Sequence, residues 1–235
     1  MSIVTILTVI PELSIGEFNS LLPFVQSEKR ERITRLRNYS DKRNTLLGEI
    51  LARVEICSSF NTVNSQIEIS NNAHGKPYVS GVPSAHFNTS HTKCYIACAV
   101  ADEVIGIDIE SIEHVDLCIA NRFFTPDEQE YINEKEHQNR LIEVWTMKES
   151  RMKMDGKCST SLLSSFSVFD PSTRNDVFYQ KVFQNSVVIC SICSTKRDAP
   201  VVKLIGTTSL LKKVRILAEQ NDYLESTTGR GFCGF

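Results

Sequence analysis

The 235-residue chain is 41% hydrophobic and 23% charged, with a net charge of −2 and a pI near 6.2. That balance fits a soluble globular protein able to bury a core without disulfides or structural metal, and it argues against nucleic acid or an anionic membrane as partner. No apolar run approaches the roughly 18 residues of a membrane span, and the N-terminal MSIVTILTVI lacks a basic n-region before Pro11, so it reads as a strand and a cytosolic (cytoplasmic) location follows.

In chain order, a strand is expected near Ile3 to Val9, a helix near Ile15 to Val25 and a basic helix near Glu28 to Arg37. Ser40 or Asp41 offers an N-cap for a longer helix. In it Leu46, Leu47, Ile50, Leu51 and Val54 recur at helical spacing and describe one buried face. A short strand around Ile67 to Ile69 precedes Gly75-Lys76-Pro77 and, after a turn, HFNTSH at 86–91. Two strands follow, near Tyr95 to Val100 and Val104 to Glu110, with Ala101-Asp102-Glu103 as a hairpin turn between them. Helices are expected at about 115–122, 126–134 and 137–154, the last ended by Gly156. Strands near Phe166 to Phe169, Val177 to Phe183 and Val187 to Ser194, then a helix around Leu210 to Glu219, complete the pattern.

Each half mixes strands with amphipathic helices, which predicts an α/β (α+β) protein of two similar lobes, residues 1–103 and 104–222, with a tail at 223–235. The eight cysteines, in a long chain without an export signal, are expected as reduced thiols. Cys190 and Cys193 form a lone CxxC inside an apolar strand, and Cys94 and Cys98 are expected in the core.

Four segments carry possible chemistry. In GIDIE, strand alternation puts Asp108 and Glu110 on one face, a costly pairing in apolar sequence unless the face is solvated or a cation sits between them. Hard carboxylate oxygens in a cleft favour Mg²⁺. In WTMKESRMK, Glu149 and Lys153 share a helix face about one turn from Trp145, which also describes a plain surface ion pair. Lys76, held between Gly75 and Pro77, and the Ser90-His91 pair are suited to phosphate oxygens, or to ordinary turns. The cluster Lys29, Arg30, Arg32, Arg35, Arg37, Lys42 and Arg43 is a solvated face or a polyanion site. Three carboxylates beside several cations match what phosphoryl chemistry on a polyphosphate requires.

GKPYV, HFNTSH, GIDIE, RFFTPDE and WTMKESRMK stand in the order and spacing of the Sfp-type 4′-phosphopantetheinyl transferases, which KRERITRLR and TLLGEIL also resemble. The likeness runs from about residue 25 to residue 169. It implies two lobes related by pseudo-twofold symmetry, a pseudo-dimer within one monomeric chain, with coenzyme A in the cleft between them. It implies transfer of phosphopantetheine from coenzyme A to a serine of an apo carrier protein (acyl, peptidyl or aryl), releasing 3′,5′-ADP. Carried over by position, Asp108, Glu110 and Glu149 would bind Mg²⁺, and Lys153 would assist the leaving 3′,5′-ADP. Glu149 would be the general base. Lys29, Arg32, Lys76, Ser90 and His91 would hold cofactor phosphates, His91 at the 3′-phosphate, within the Gly75-Lys76-Pro77 context. The family often carries a basic residue near Asn44, a place Arg43 can take, and Cys158 stands where a small residue is usual. Another Mg²⁺-dependent phosphotransferase is disfavoured by the lack of a GxxxxGK[ST] or kinase-type glycine loop. A non-catalytic coenzyme A or carrier-binding module is the remaining alternative.

Overall fold

The structure is a computed structural model that describes residues 1–9, 12–113, 118–156, 160–170, 172 and 176–215. Its elements are β1 (Ser2–Thr8), α1 (Ile15–Leu21), α2 (Ser27–Arg35), α3 (Tyr39–Phe60), β2 (Glu68–Asn71), β3 (Pro77–Ser80), β4 (His86–Thr92), β5 (Tyr95–Ala101) and β6 (Ile105–Ser111). The second half holds α4 (Cys118–Phe123), α5 (Pro126–Glu134), α6 (His137–Asp155), β7 (Phe178–Gln184), β8 (Val188–Ser194) and β9 (Val201–Gly206), followed by a helical segment at 207–215. Cys158, the expected tail at 223–235 and the ends of two expected helices lie outside the described residues.

Strands β4-β5-β1-β9 form one sheet, β6-β8-β7 a second, and β2-β3 a separate hairpin. The mixed α/β architecture expected from the sequence is present. The two larger sheets pack face to face. Val4, Ile6, Ala97 and Ala99 from the first meet Ile105, Ile107, Ile109, Cys190 and Ile192 from the second in one buried cluster. The opposite face of the first sheet packs on α3, joining Leu7, Ile96 and Phe87 to Leu46, Leu47, Ile50 and Leu51. The second sheet carries α6 on its outer face, with Ile189 beside Leu141, Ile142 and Val144.

Several expectations change. Ala101-Asp102-Glu103 is no hairpin turn: β5 pairs with β1 and β4, whereas β6 pairs with β8, so the turn carries the chain from one sheet to the other. Helix α3 is capped at Asn38, whose amide donates to Asp41 at 3.1 Å. It is buried all round from Leu46 to Cys57 rather than on one face, because its charged residues are paired inside the lobe. Arg53 bonds Glu49, Asn64, Gln26 and the Ile67 carbonyl, and Glu55 is held by Lys203 at 2.9 Å and Lys213 at 3.0 Å.

Residues 166–169 form no strand; they follow a 3₁₀ turn (Thr160–Ser165) pinned by Lys148. The strand β9 was not expected. It runs parallel to β1 in the first sheet, and Leu210 and Val214 enter that lobe's core, so the chain returns to the first lobe after completing the second. Cys98, Cys190 and Cys193 are buried free thiols, whereas Cys94 is exposed at the β4–β5 turn. No helix among the described residues is long and apolar enough to cross a membrane.

Candidate active site

The site forms where the edge strands of the two large sheets meet. β4 and β6 share no backbone ladder; side chains of β4 bridge to β6 instead. The Asn88 amide oxygen accepts from the Ile107 N–H at 2.9 Å, Ser90 Oγ donates to Asp108 Oδ1 at 2.8 Å, and Thr92 Oγ1 lies 2.7 Å from Ser111 Oγ. Strand alternation explains the sorting. Residues 88, 90 and 92 face β6, while Phe87 faces the α3 core. On β6, Ile105, Ile107 and Ile109 enter the inter-sheet core, leaving Gly106, Asp108 and Glu110 toward α6.

Helix α6 sits directly on that face. A Cβ at Gly106 would lie 1.9 Å from the Ser150 carbonyl oxygen and 2.5 Å from the Met154 nitrogen. This close approach brings Lys153 Nζ to 2.6 Å from Asp108 Oδ1 and 2.9 Å from Ser90 Oγ. The helix ends at Gly156, whose φ of 68° is the left-handed cap that glycine adopts without strain.

Asp108 is 2% exposed, and its Oδ2 is buried without a hydrogen-bond partner among the described residues. Glu110 is pushed up to about 7, first by burial, then by the Asp108 charge, with Glu149 adding to it and Lys153 opposing. Burial and Asp108 likewise raise Glu149. A buried Asp108 with one oxygen lacking a donor, beside two carboxylates whose ionisation its charge and burial disfavour, is a hard-oxygen set suited to a divalent cation. Among the described residues no three such side chains already form a closed ligand set, and the Lys153 ammonium lies against Asp108 at 2.6 Å.

The expected cofactor residues divide. Lys29, Pro77, Ser90 and His91 line one cleft of about 200 Å³ with Asn44, Gly48 and Glu49. Arg32 is exposed and lines an adjoining groove with Lys29. His91 is held below the ordinary histidine range by partial desolvation and by the Lys153 ammonium, although its ring still reaches solvent. Gly75, with φ of 83°, forms the tip of the β2–β3 hairpin, and Lys76 Nζ donates to the Met154 carbonyl at 2.6 Å, so the hairpin braces the end of α6. Arg43 is turned away from the cleft. Its guanidinium bonds Glu12, Asn44 and the Lys93 carbonyl, and the neighbouring Asn44 faces the cleft in its place.

One pair escaped the reading of the sequence as functional. Lys148 and Glu128, both fully buried, meet at 2.8 Å, and Glu128 also accepts from the Thr125 and Val168 N–H groups. This ties α5, α6 and the 160–168 segment together next to Glu149. The signal was present: a lysine and a glutamate inside two of the recognised motifs, without a surface role.

Residues 12–103 match the N-terminal region of the 4′-phosphopantetheinyl transferases, and residues 104–208 match the 4′-phosphopantetheinyl transferase superfamily. The chain is 38% identical over 159 residues to the 4′-phosphopantetheinyl transferase Sfp of Bacillus subtilis, covering 66% of this chain and 71% of that one. It is 40% identical over 153 residues to the 4′-phosphopantetheinyl transferase psf-1 of Bacillus pumilus, covering 64% and 66%. With the 4′-phosphopantetheinyl transferase gsp of Aneurinibacillus migulanus the identity is 33% over 190 residues, covering 75% and 79%.

Proposed function

Because the chain belongs to the Sfp-type 4′-phosphopantetheinyl transferase family, we propose that it transfers the phosphopantetheine group of coenzyme A to a serine of an apo carrier protein, releasing 3′,5′-ADP. The carriers are the peptidyl, acyl or aryl carrier domains of secondary-metabolite or siderophore synthetases, and the enzyme acts as a cytosolic monomer. The observation that carries this reading is the coupled set Asp108, Glu110 and Glu149, with an orphaned Asp108 oxygen, beside Lys153 and the Lys29–His91 cleft.

Asp108, Glu110 and Glu149 are the residues to hold Mg²⁺, which when bound supplies neutralising charge for the pyrophosphate oxygens. The protein side chains do the rest. Lys29, Ser90 and His91 bind phosphate groups at the nucleotide end of coenzyme A. His91, depressed in the free protein, gains its proton as a phosphate approaches. Asp108 and Ser90 fix the Lys153 ammonium, which donates a proton to the phosphate oxygen of the departing 3′,5′-ADP. Glu149, made more basic than an exposed glutamate by burial and by Asp108, accepts the proton of the carrier serine as its oxygen attacks the phosphorus.

Incubation with coenzyme A, Mg²⁺ and a panel of apo carrier domains should add the phosphopantetheine mass to the carrier, and kcat/KM across the panel ranks the carriers served. Tight binding of coenzyme A with no transfer to any carrier would favour the binding-module alternative. Preference for ATP over coenzyme A would favour a different phosphotransferase.

A further inference from the structure

Helix α2 brings Lys29 to the phosphate cleft, yet it has little apolar surface to fix its own position. Of its nine residues only Ile33 is buried. A surface helix ordinarily takes its orientation from an apolar stripe packed on the core. With one such residue, α2 must take much of its orientation from polar contacts.

Those contacts converge on Arg53 of α3, whose side chain is 3% exposed. Its Nη2 donates to Gln26 Oε1 at 3.1 Å, and Gln26 is the residue that caps the start of α2. The same Gln26 oxygen accepts from the Ile69 N–H of β2 at 2.9 Å. Arg53 Nη1 donates to Asn64 Oδ1 and to the Ile67 carbonyl, and Asn64 donates in turn to the Phe24 carbonyl at 3.2 Å. The guanidinium thus sets where α2 begins. Its remaining contact is to Glu49, one turn back along α3, with Nε at 3.0 Å from Oε1.

The other Glu49 oxygen, Oε2, lies 3.8 Å from Lys29 Nζ. That separation is an ion pair but is longer than the roughly 2.7–3.2 Å of an N–H···O bond. Glu49 therefore attracts the ammonium while leaving its N–H donors for a ligand. Both side chains line the cleft that Ser90 and His91 also border. A carboxylate in the wall of a phosphate cleft would by charge alone repel the ligand. Arg53 offsets that charge, and what is left is a tether on Lys29. A lysine held in place before binding loses less rotamer freedom when the phosphate arrives.

We infer that Glu49, held by Arg53, is a positioning residue that presets the Lys29 ammonium for a phosphate of coenzyme A. The inference rests on the transferase reading. Glu49 acts through Lys29 and not on the ligand.

Glu49→Gln separates this role from a plain charge effect, because the two differ in sign. Glutamine keeps an acceptor for Arg53 Nε and removes a negative charge from the cleft, so charge alone would tighten coenzyme A binding. Loss of the preset lysine should instead weaken it about tenfold in calorimetry, the lower end of what a charge-assisted hydrogen bond contributes. In transfer assays the loss should appear in KM for coenzyme A, with kcat changed by less than about twofold, a split that a smaller folded fraction does not produce. Lys29→Met should weaken binding by a similar factor, and adding Glu49→Gln to it should bring no further loss. Glu49→Asp keeps the charge beside Arg53 but stops one methylene short of Lys29. It serves where Glu49→Gln does not fold, and should weaken coenzyme A about threefold. Unchanged or tighter binding by folded Glu49→Gln, normal binding by Glu49→Asp, or losses that add in the double variant would overturn the inference and leave the transferase reading intact. Failure of the parent protein to bind either coenzyme A or 3′,5′-ADP would instead remove the transferase reading on which it rests.

Discussion

Replacing Lys148 by methionine should cost this protein most of its stability, although Lys148 touches no substrate. Its ammonium has 0% exposure, meets the equally buried Glu128 at 2.8 Å, and donates to the Leu163 and Phe166 carbonyls at 2.6 Å each. The Phe166 ring centroid lies 4.5 Å away. Methionine fills similar volume but leaves the Glu128 carboxylate uncompensated, a loss of about 3–5 kcal/mol. Two carbonyls left without a donor add about 1 kcal/mol or more each. The sum, about 5 kcal/mol, rivals the whole stability of a typical domain, about 5–15 kcal/mol. Urea unfolding followed by circular dichroism should show it directly. With an m-value of about 2–3 kcal/mol per molar, the midpoint falls by about 2 M. Adding Glu128→Gln to Lys148→Met removes the stranded charge and should restore about 1–2 kcal/mol, the gain limited because Glu128 also caps α5 through the Thr125 N–H. A single variant that loses under about 1 kcal/mol, or a double variant no more stable than the single, would refute the reasoning.

Gly106→Ala should lower stability by about 3 kcal/mol and abolish transfer, since the new Cβ meets main-chain atoms of α6 that no rotamer change can move; near-normal activity in that variant would contradict the packing described. Arg43→Met should cost about 2 kcal/mol through the Asn44 and Lys93 partners it abandons, yet leave coenzyme A affinity of the folded protein within about twofold; a loss of tenfold or more with unchanged Tm would return Arg43 to the cofactor site. The Glu110 carboxyl, at about 7 in the folded protein against about 4.3 unfolded, keeps its proton in a window where the unfolded chain has released it. Its contribution to stability therefore declines as pH rises through that window in metal-free protein, and a divalent cation, which needs the ionised form, should raise Tm more at pH 8 than at pH 5.5. Glu110→Gln should flatten both trends relative to the parent; identical pH profiles for the two proteins would count against this account.

The GIDIE strand and the WTMKESRMK helix were legible because their periodicities are local. Alternation alone sorts Ile107 and Ile109 from Asp108 and Glu110, and helical spacing alone places Lys153 one turn from Glu149. What sequence spacing could not supply was the distance between the two segments, which depends on the absence of a side chain at Gly106. The hairpin expected at Ala101-Asp102-Glu103 failed for a related reason: the short turn fits a hairpin and a sheet-to-sheet crossing equally well, and the choice is made by the inter-sheet core. Strand β9 was hidden because Val201, Val202 and Leu204 lie at a sheet edge and are largely exposed, so the segment lacks the apolar-in, polar-out pattern that marks a half-buried strand. The internal bonding of Arg43 to Glu12, Asn44 and the Lys93 carbonyl was not legible because a buried arginine with internal acceptors and a cleft-lining arginine look alike in sequence.

The register of β6 links the fold to the chemistry more tightly than any single residue does. Ile105, Ile107 and Ile109 are fully buried between the sheets, so a shift of one position would force Asp108 and Glu110 into that apolar layer. The apolar side therefore enforces the placement of two carboxylates that otherwise oppose folding, because burial and the Asp108 charge raise the cost of ionising Glu110. The same constraint acts across the seam, where Asn88, Ser90 and Thr92 hold β4 against β6 through side chains and not through a ladder. Side-chain bridges of that kind can yield at one point without unzipping a sheet. Lys153 can thus leave Asp108 Oδ1 when a cation or a phosphate competes for it, while Asn88 and Thr92 keep the two lobes in register.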